Sequence, residues 1–150
     1  MDDMKIYPFV IEACEHLLKD LECDFVGLAI QNKVGPDVRW HYASGNRNEK
    51  YKRITVRYGK GIAGRVISTG SPMQIENFPN DIIGKSLEYP IFLAEHLVSA
   101  FAVPLRYAGI PRGVLLAGHR ASRSFTESDK KLICKSAVNL EEMLADQMKF

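Results

Sequence analysis

Tyr58-Gly59-Lys60-Gly61-Ile62-Ala63-Gly64-Arg65-Val66-Ile67-Ser68-Thr69-Gly70 is the stretch on which the fold turns. It predicts a short helix that begins near Ile62 and ends at Gly70, whose missing Cβ suits a left-handed C-terminal cap. Gly59 and Gly61 let the backbone approach a neighbour closely before the helix starts. The first amides of any helix lack an internal acceptor, and the aligned peptide dipoles favour negative charge there. The loop carries no acidic residue, and no Ser or Thr is placed to cap those amides. Such an open donor set is what an anion site needs. The plain alternative is a glycine-rich helix start that binds only water.

Outward from this helix, Pro72-Met73-Gln74-Ile75-Glu76-Asn77 reads as a short strand, ended by Phe78-Pro79-Asn80-Asp81. Residues 82–97 are interrupted by Pro90, and Ile91–Leu97 has the length of two helical turns. Val98–Arg106 and Gly113–Ala117 are apolar strand runs around the hairpin-like Tyr107–Pro111. On the N-terminal side, Val10, Ile11, Cys14, Leu17, Leu18 and Leu21 form one apolar stripe at helical spacing, with Pro8 suited to the first turn. Phe25–Ile30 and Val38–Ala43 read as antiparallel strands joined by Asn32–Asp37, with Val38, Trp40 and Tyr42 on one face and His41 exposed on the other. Gly45–Lys52 is a solvated connection or short surface helix. The final helix opens on Thr126-Glu127-Ser128-Asp129, a capping-box variant. It carries Leu132, Ile133, Ala137, Leu140, Met143, Leu144 and Met148 as its stripe. The order predicts an α+β domain over residues 1–150. A central antiparallel sheet would carry both terminal helices on one face, and the middle segments would enclose a cavity on the other.

Bulk properties narrow the function. A chain of 150 residues, 46% apolar and 25% charged, is an ordinary single globular domain. A net charge of +2 argues weakly against nucleic acid as the main partner, since backbone binding needs a concentrated basic face that local clustering alone would have to supply; no nucleic-acid partner is expected. No apolar run reaches the ~20 residues of a membrane span, and the acidic start lacks the order of a secretory signal; a cytoplasmic protein with no membrane role is expected. Cys14, Cys23 and Cys134 are odd in number and contain no CxxC pair, which fits reduced thiols. The four histidines are scattered, and no metal, cofactor or nucleophile arrangement is recognisable.

Gly59-Lys60-Gly61-Ile62-Ala63-Gly64-Arg65-Val66, followed by Thr69-Gly70-Ser71-Pro72 and Ile75, resembles the signature of GAF domains. Val103-Pro104-Leu105 with Gly113-Val114-Leu115, and Phe125-Thr126-Glu127-Ser128-Asp129, resemble that family's late strand pair and the opening of its last helix. The resemblance implies a GAF fold and a small-molecule sensor more often than an enzyme. Bilin-binding members and free-methionine sulfoxide reductases use a pocket cysteine, whereas these cysteines fall outside the pocket segments. Among stand-alone members, Trp40, Ile62-Ala63 and Tyr89-Pro90-Ile91 look similar to the anion pocket of NreA-type nitrate receptors. That likeness implies nitrate, or nitrite, as ligand and a two-component sensor histidine kinase as partner, in the regulation of nitrate respiration.

The residue chemistry is compatible with that likeness. An apolar, aromatic pocket would penalise a multiply charged phosphate, while planar, weakly hydrated, monovalent nitrate loses least on entering. Trp Nε1–H and Tyr O–H can donate to it. Each residue also has a bland reading. Trp40 could be plain core, Tyr89 a surface turn, Arg65 a solvent-facing side chain, and Arg39, Lys50, Lys52 and Arg53 a solvated face. Residues 78–97, with their Pro, Gly and Asn breaks, are the candidate lid, and apolar positions left on the terminal helices could serve a homodimer. Three functions are weighed: an anion receptor, a GAF sensor or interaction module for something else, and a sulfoxide reductase.

Overall fold

The computed structural model describes residues 7–147. Helix α2 (Gly61–Thr69) forms where expected, and Gly70 closes it at φ 68° with its amide donating to the Val66 carbonyl. Ile62, Ala63, Val66 and Ile67 are buried, so this short helix is held by its apolar stripe rather than by propensity. The other elements are α1 (Pro8–Leu21), β1 (Phe25–Gln31), β2 (Val38–Ser44), β3 (Thr55–Val56), β4 (Met73–Ile75), α3 (Pro90–Glu95), β5 (Ser99–Tyr107), β6 (Ile110–His119) and α4 (Glu127–Gln147). All six strands join one antiparallel sheet in the order β3-β2-β1-β6-β5-β4.

The sheet separates two cores. On one face Val10, Cys14 and Leu17 of α1 meet Ile133, Ala137, Leu140 and Leu144 of α4 over Val26, Leu28, Val103 and Leu115. On the other, α2 and α3 pack over Ala29, Trp40, Ala100, Ala102, Val114 and Leu116. The terminal helices therefore share a face, as the sequence predicts. Met148 lies outside the described residues.

Three expectations are corrected. Leu28 pairs with Tyr42 but Ala29 with Trp40, so β2 holds one extra residue, His41. A one-residue bulge reverses every side chain beyond it. Trp40 and Val38 stay on the α2 face, whereas Tyr42 turns to the terminal helices and His41 is half-buried instead of exposed. Strand β3, only two residues long, went unread because it is too short for a period-two pattern. Pro90 occupies the first turn of α3 and so opens that helix, which stops one residue short of His96 in left-handed conformation (φ 57°).

The β5–β6 hairpin is tighter than Tyr107–Pro111 suggested. Ala108 and Gly109 both take positive φ, the geometry of a two-residue turn compatible with strand twist, and Ile110 and Pro111 already belong to β6. At α4 the capping box is complete. The Thr126 amide donates to Asp129 Oδ2 and the Asp129 amide to Thr126 Oγ1, both at 3.0 Å. Thr126→Ala should therefore cost about 1 kcal/mol in urea unfolding, with an unchanged m-value.

Candidate ligand-binding site

The α2 face of the sheet is built from small residues beneath large ones. A Cβ on Gly27 would come within 2.8 Å of the Phe25 ring and 3.0 Å of the Trp40 indole, so only glycine lets that ring lie over β1. Ala29, Ala100 and Ala102 continue the shallow floor. Above it, Trp40, Ile62, Ala63, Tyr89 and Ile91 are all buried within one cluster, each at most 2% exposed. Pro90 is half-buried at its margin. The fold thus gathers segments that are about 50 positions apart in the chain. Phe92 stacks on Phe78 at a ring separation of 4.8 Å and Tyr89 meets the same ring tilted at 5.9 Å, fixing the start of α3.

Polar groups at this cluster are donors. No side chain caps α2, and among the described residues no acceptor takes the amides of Ile62 and Ala63. At α3, Pro90 has no N–H and the Phe92 and Leu93 amides both reach the Tyr89 carbonyl, which leaves the Ile91 amide. The Trp40 indole Nε1 is buried with no hydrogen-bond partner. Gly61, at φ 64°, abuts the Glu88 carbonyl, so the starts of α2 and α3 are adjacent.

Two of the expected roles change. The Tyr89 hydroxyl donates to the Ile83 carbonyl at 2.7 Å and its amide to Ser86, so Tyr89 offers a ring wall and no free donor. Being fully buried, it is no surface turn either. Arg65 does not point into solvent: its Nη2 stands 3.9 Å from Glu88 Oε1 and its side chain is 24% exposed. A cleft of about 300 Å³ opens beside the cluster, lined by Thr55, Val56, Arg57, Lys60, Leu87, Glu88 and Pro90. Of the six expected site residues only Pro90 borders it. The other five lie deeper.

The thiols are placed elsewhere. Cys14 and Cys23 belong to the terminal-helix core, where burial pushes their pKa values up to about 12 and about 11, and Cys134 is exposed on α4. A neutral, buried thiol is a poor nucleophile. Among the described residues no group of three His, Cys, Asp or Glu could hold a metal. No described helix is long and apolar enough to cross a membrane. Sequence reasoning missed the buried Glu95 and its partner Arg120, since nothing local marks a glutamate in a short helix as an internal one.

Residues 5–135 match the GAF domain family. The chain belongs to the GAF domain family. The GAF fold, a six-stranded antiparallel sheet flanked by helices, accounts for the architecture. Among solved structures this GAF domain is similar to NreA of Staphylococcus aureus, studied as variants mutated in the nitrate binding site. The two share 37% identity and a TM-score of 0.72 over 79% of this chain and 88% of that one. It is also 34% identical over 93 residues to the Nif-specific regulatory protein of Azospirillum lipoferum. That match takes in 55% of this chain, which spans only 14% of the length of the regulatory protein. Free methionine-R-sulfoxide reductase of Neisseria meningitidis shares the fold at a TM-score of 0.72, covering 93% of this chain and 78% of that one, but only 18% identity. That degree of likeness speaks to architecture alone.

Proposed function

We propose that this GAF domain is a cytoplasmic receptor for a small monovalent anion, nitrate or nitrite, whose occupancy regulates a two-component sensor histidine kinase. The observation that carries the reading is the buried Trp40 Nε1–H without an acceptor, in the same cluster as the uncapped start of α2. A buried donor left unsatisfied costs about 1–3 kcal/mol, and an anion at that point would recover it. The amides of Ile62 and Ala63 supply further donors, Tyr89 and Ile91 supply apolar walls, and Pro90 closes the margin. Such a site favours an ion that sheds water cheaply over phosphate, which would demand far more compensation. The similarity to NreA supports the same guest.

Titration calorimetry with nitrate is the direct test. Heat of binding is expected with nitrate and none with phosphate, and silence at millimolar nitrate would end the proposal. Trp40→Phe keeps an aromatic wall and removes the donor. A hydrogen bond to a charged group contributes about 1.5–3 kcal/mol, so affinity should fall roughly tenfold or more.

A second reading has an observation in its favour. Side chains pack the cluster closely, and the open volume lies outside it. A GAF module sensing another metabolite, or contacting a protein with its pocket closed, would look the same. Raised unfolding temperature in nitrate separates the two readings. We read the protein as a non-enzyme. Turnover of free methionine sulfoxide, lost on Cys-to-Ser changes, would reverse that reading.

A further inference from the structure

The segment that covers the start of α2 is held tightly at one end and loosely at the other. At its C-terminal end Glu95 is fully buried, and its Oε1 accepts from the Arg47 amide and from Arg120 Nη2, both at 2.8 Å. Arg120 Nε also donates to the Glu95 carbonyl at 2.8 Å, and Arg47 Nη1 to the Ala94 carbonyl at 2.9 Å. At the other end the Glu88 carboxylate stands 3.9 Å from both Lys60 Nζ and Arg65 Nη2. Those three side chains are 29%, 53% and 24% exposed. Pairs of that length and exposure favour the closed arrangement by only about twofold to fivefold each. Glu88 Oε1 and Arg65 Nε have no hydrogen-bond partner, whereas Glu95, although its Oε2 is also unpartnered, is held through Oε1 and its carbonyl.

The loose end lies on the cleft, and the cleft adjoins the buried cluster. Val56 borders the cleft and belongs to the same buried cluster as Trp40 and Ile62, and Pro90 stands between Tyr89 and Ile91 in the chain. We propose that Glu88 is the gate of this cleft. Paired with Lys60 and Arg65, it keeps the Ser86–Glu88 turn over the start of α2; released, it opens a path from solvent to Trp40, with α3 pivoting about Glu95. Opening also leaves Lys60 and Arg65 beside Arg57 without a counter-charge, a positive mouth that would draw in an anion. The identity of the guest rests on the receptor reading above, but the path does not.

Trp40 is the sole tryptophan, so its fluorescence reports access to the pocket. Acrylamide, a neutral quencher, is used on the full chain well below its unfolding temperature. Glu88→Gln and Lys60→Gln should each raise the quenching constant at least twofold. Leu140→Ala, which weakens the core on the opposite face, should leave it at the wild-type value. Equal quenching in wild type and E88Q, or an equal rise in L140A, overturns the gate. Stopped-flow mixing with nitrate separates this from the ligand question. If E88Q raises quenching while neither protein binds nitrate, the gate stands and the nitrate reading falls. If both bind nitrate at one rate with equal quenching, the gate falls and the nitrate reading stands.

Discussion

Glu95→Ala should lower folding stability by about 3 kcal/mol, among the larger effects available to any single change in this domain. Glu95 is fully buried and joins three parts of the chain. It fixes the end of α3, takes the amide of Arg47 beyond β2, and faces the Arg120 guanidinium beyond β6. Arg120 in turn reaches the carbonyls of Gly45 and Asp24, and its amide donates to Asp24 Oδ2 at 2.7 Å. Removing the carboxylate leaves the partly buried Arg120 cation with backbone carbonyls but no counter-charge, and the Arg47 amide without its acceptor, and that loss makes up most of the cost. Exposure of the Arg120 side chain, 30%, keeps the figure toward the lower end of the range for buried pairs. For a domain of this size the midpoint of thermal unfolding should fall by roughly 6–12 °C. A loss under 1 kcal/mol would mean that water replaces the carboxylate and that the tight end of the covering segment is not tight.

Gly61→Ala is expected to cost about 2–4 kcal/mol and to weaken any anion binding at α2 together with stability. Gly61 sits at φ 64°, where an L-residue loses roughly 1–2 kcal/mol. Its added Cβ would also collide with the Glu88 carbonyl, a backbone atom that cannot swing aside as a side-chain tip can. Relief requires the Ser86–Glu88 turn to move away from α2, which separates the donors of Ile62 and Ala63 from the wall at Tyr89–Ile91. Gly59→Ala provides the internal comparison. Gly59 has φ 84° but no atom within 4 Å of a built Cβ, so it should suffer the dihedral cost alone. Urea unfolding of the two variants, each also titrated with nitrate, tests this. Equal losses in both would show that the contact with Glu88 carries no energy.

Periodicity and glycine placement were enough for the fold. The stripe of α1, the Gly70 cap of α2 and the Thr126–Asp129 box are local features, decided by spacing within a few residues, and each appears where the sequence puts it. The grouping of Trp40, Ile62, Ala63, Tyr89 and Ile91 in one cluster was legible only through resemblance, because no local rule brings β2 to the starts of two helices. Their role as ligand contacts remains the proposal above.

Other features followed from neither pattern nor resemblance. The bulge at His41 turns Trp40 and Tyr42 to opposite faces, and it exists because β2 pairs with β1 on both sides of one unmatched residue. Tyr89 donates its hydroxyl to Ile83 because a turn not foreseen in the sequence brings that carbonyl within reach. Glu95 and Arg120 meet across 25 positions, and Glu88 lies near two cations, Lys60 just before α2 and Arg65 within it. The sequence by itself determined the main helices and the longer strands, and the apolar stripes of the terminal helices, since those depend on neighbours along the chain. Tertiary structure alone decided which buried polar groups find partners and which do not, because hydrogen-bond satisfaction depends on distances between segments that the linear order leaves open.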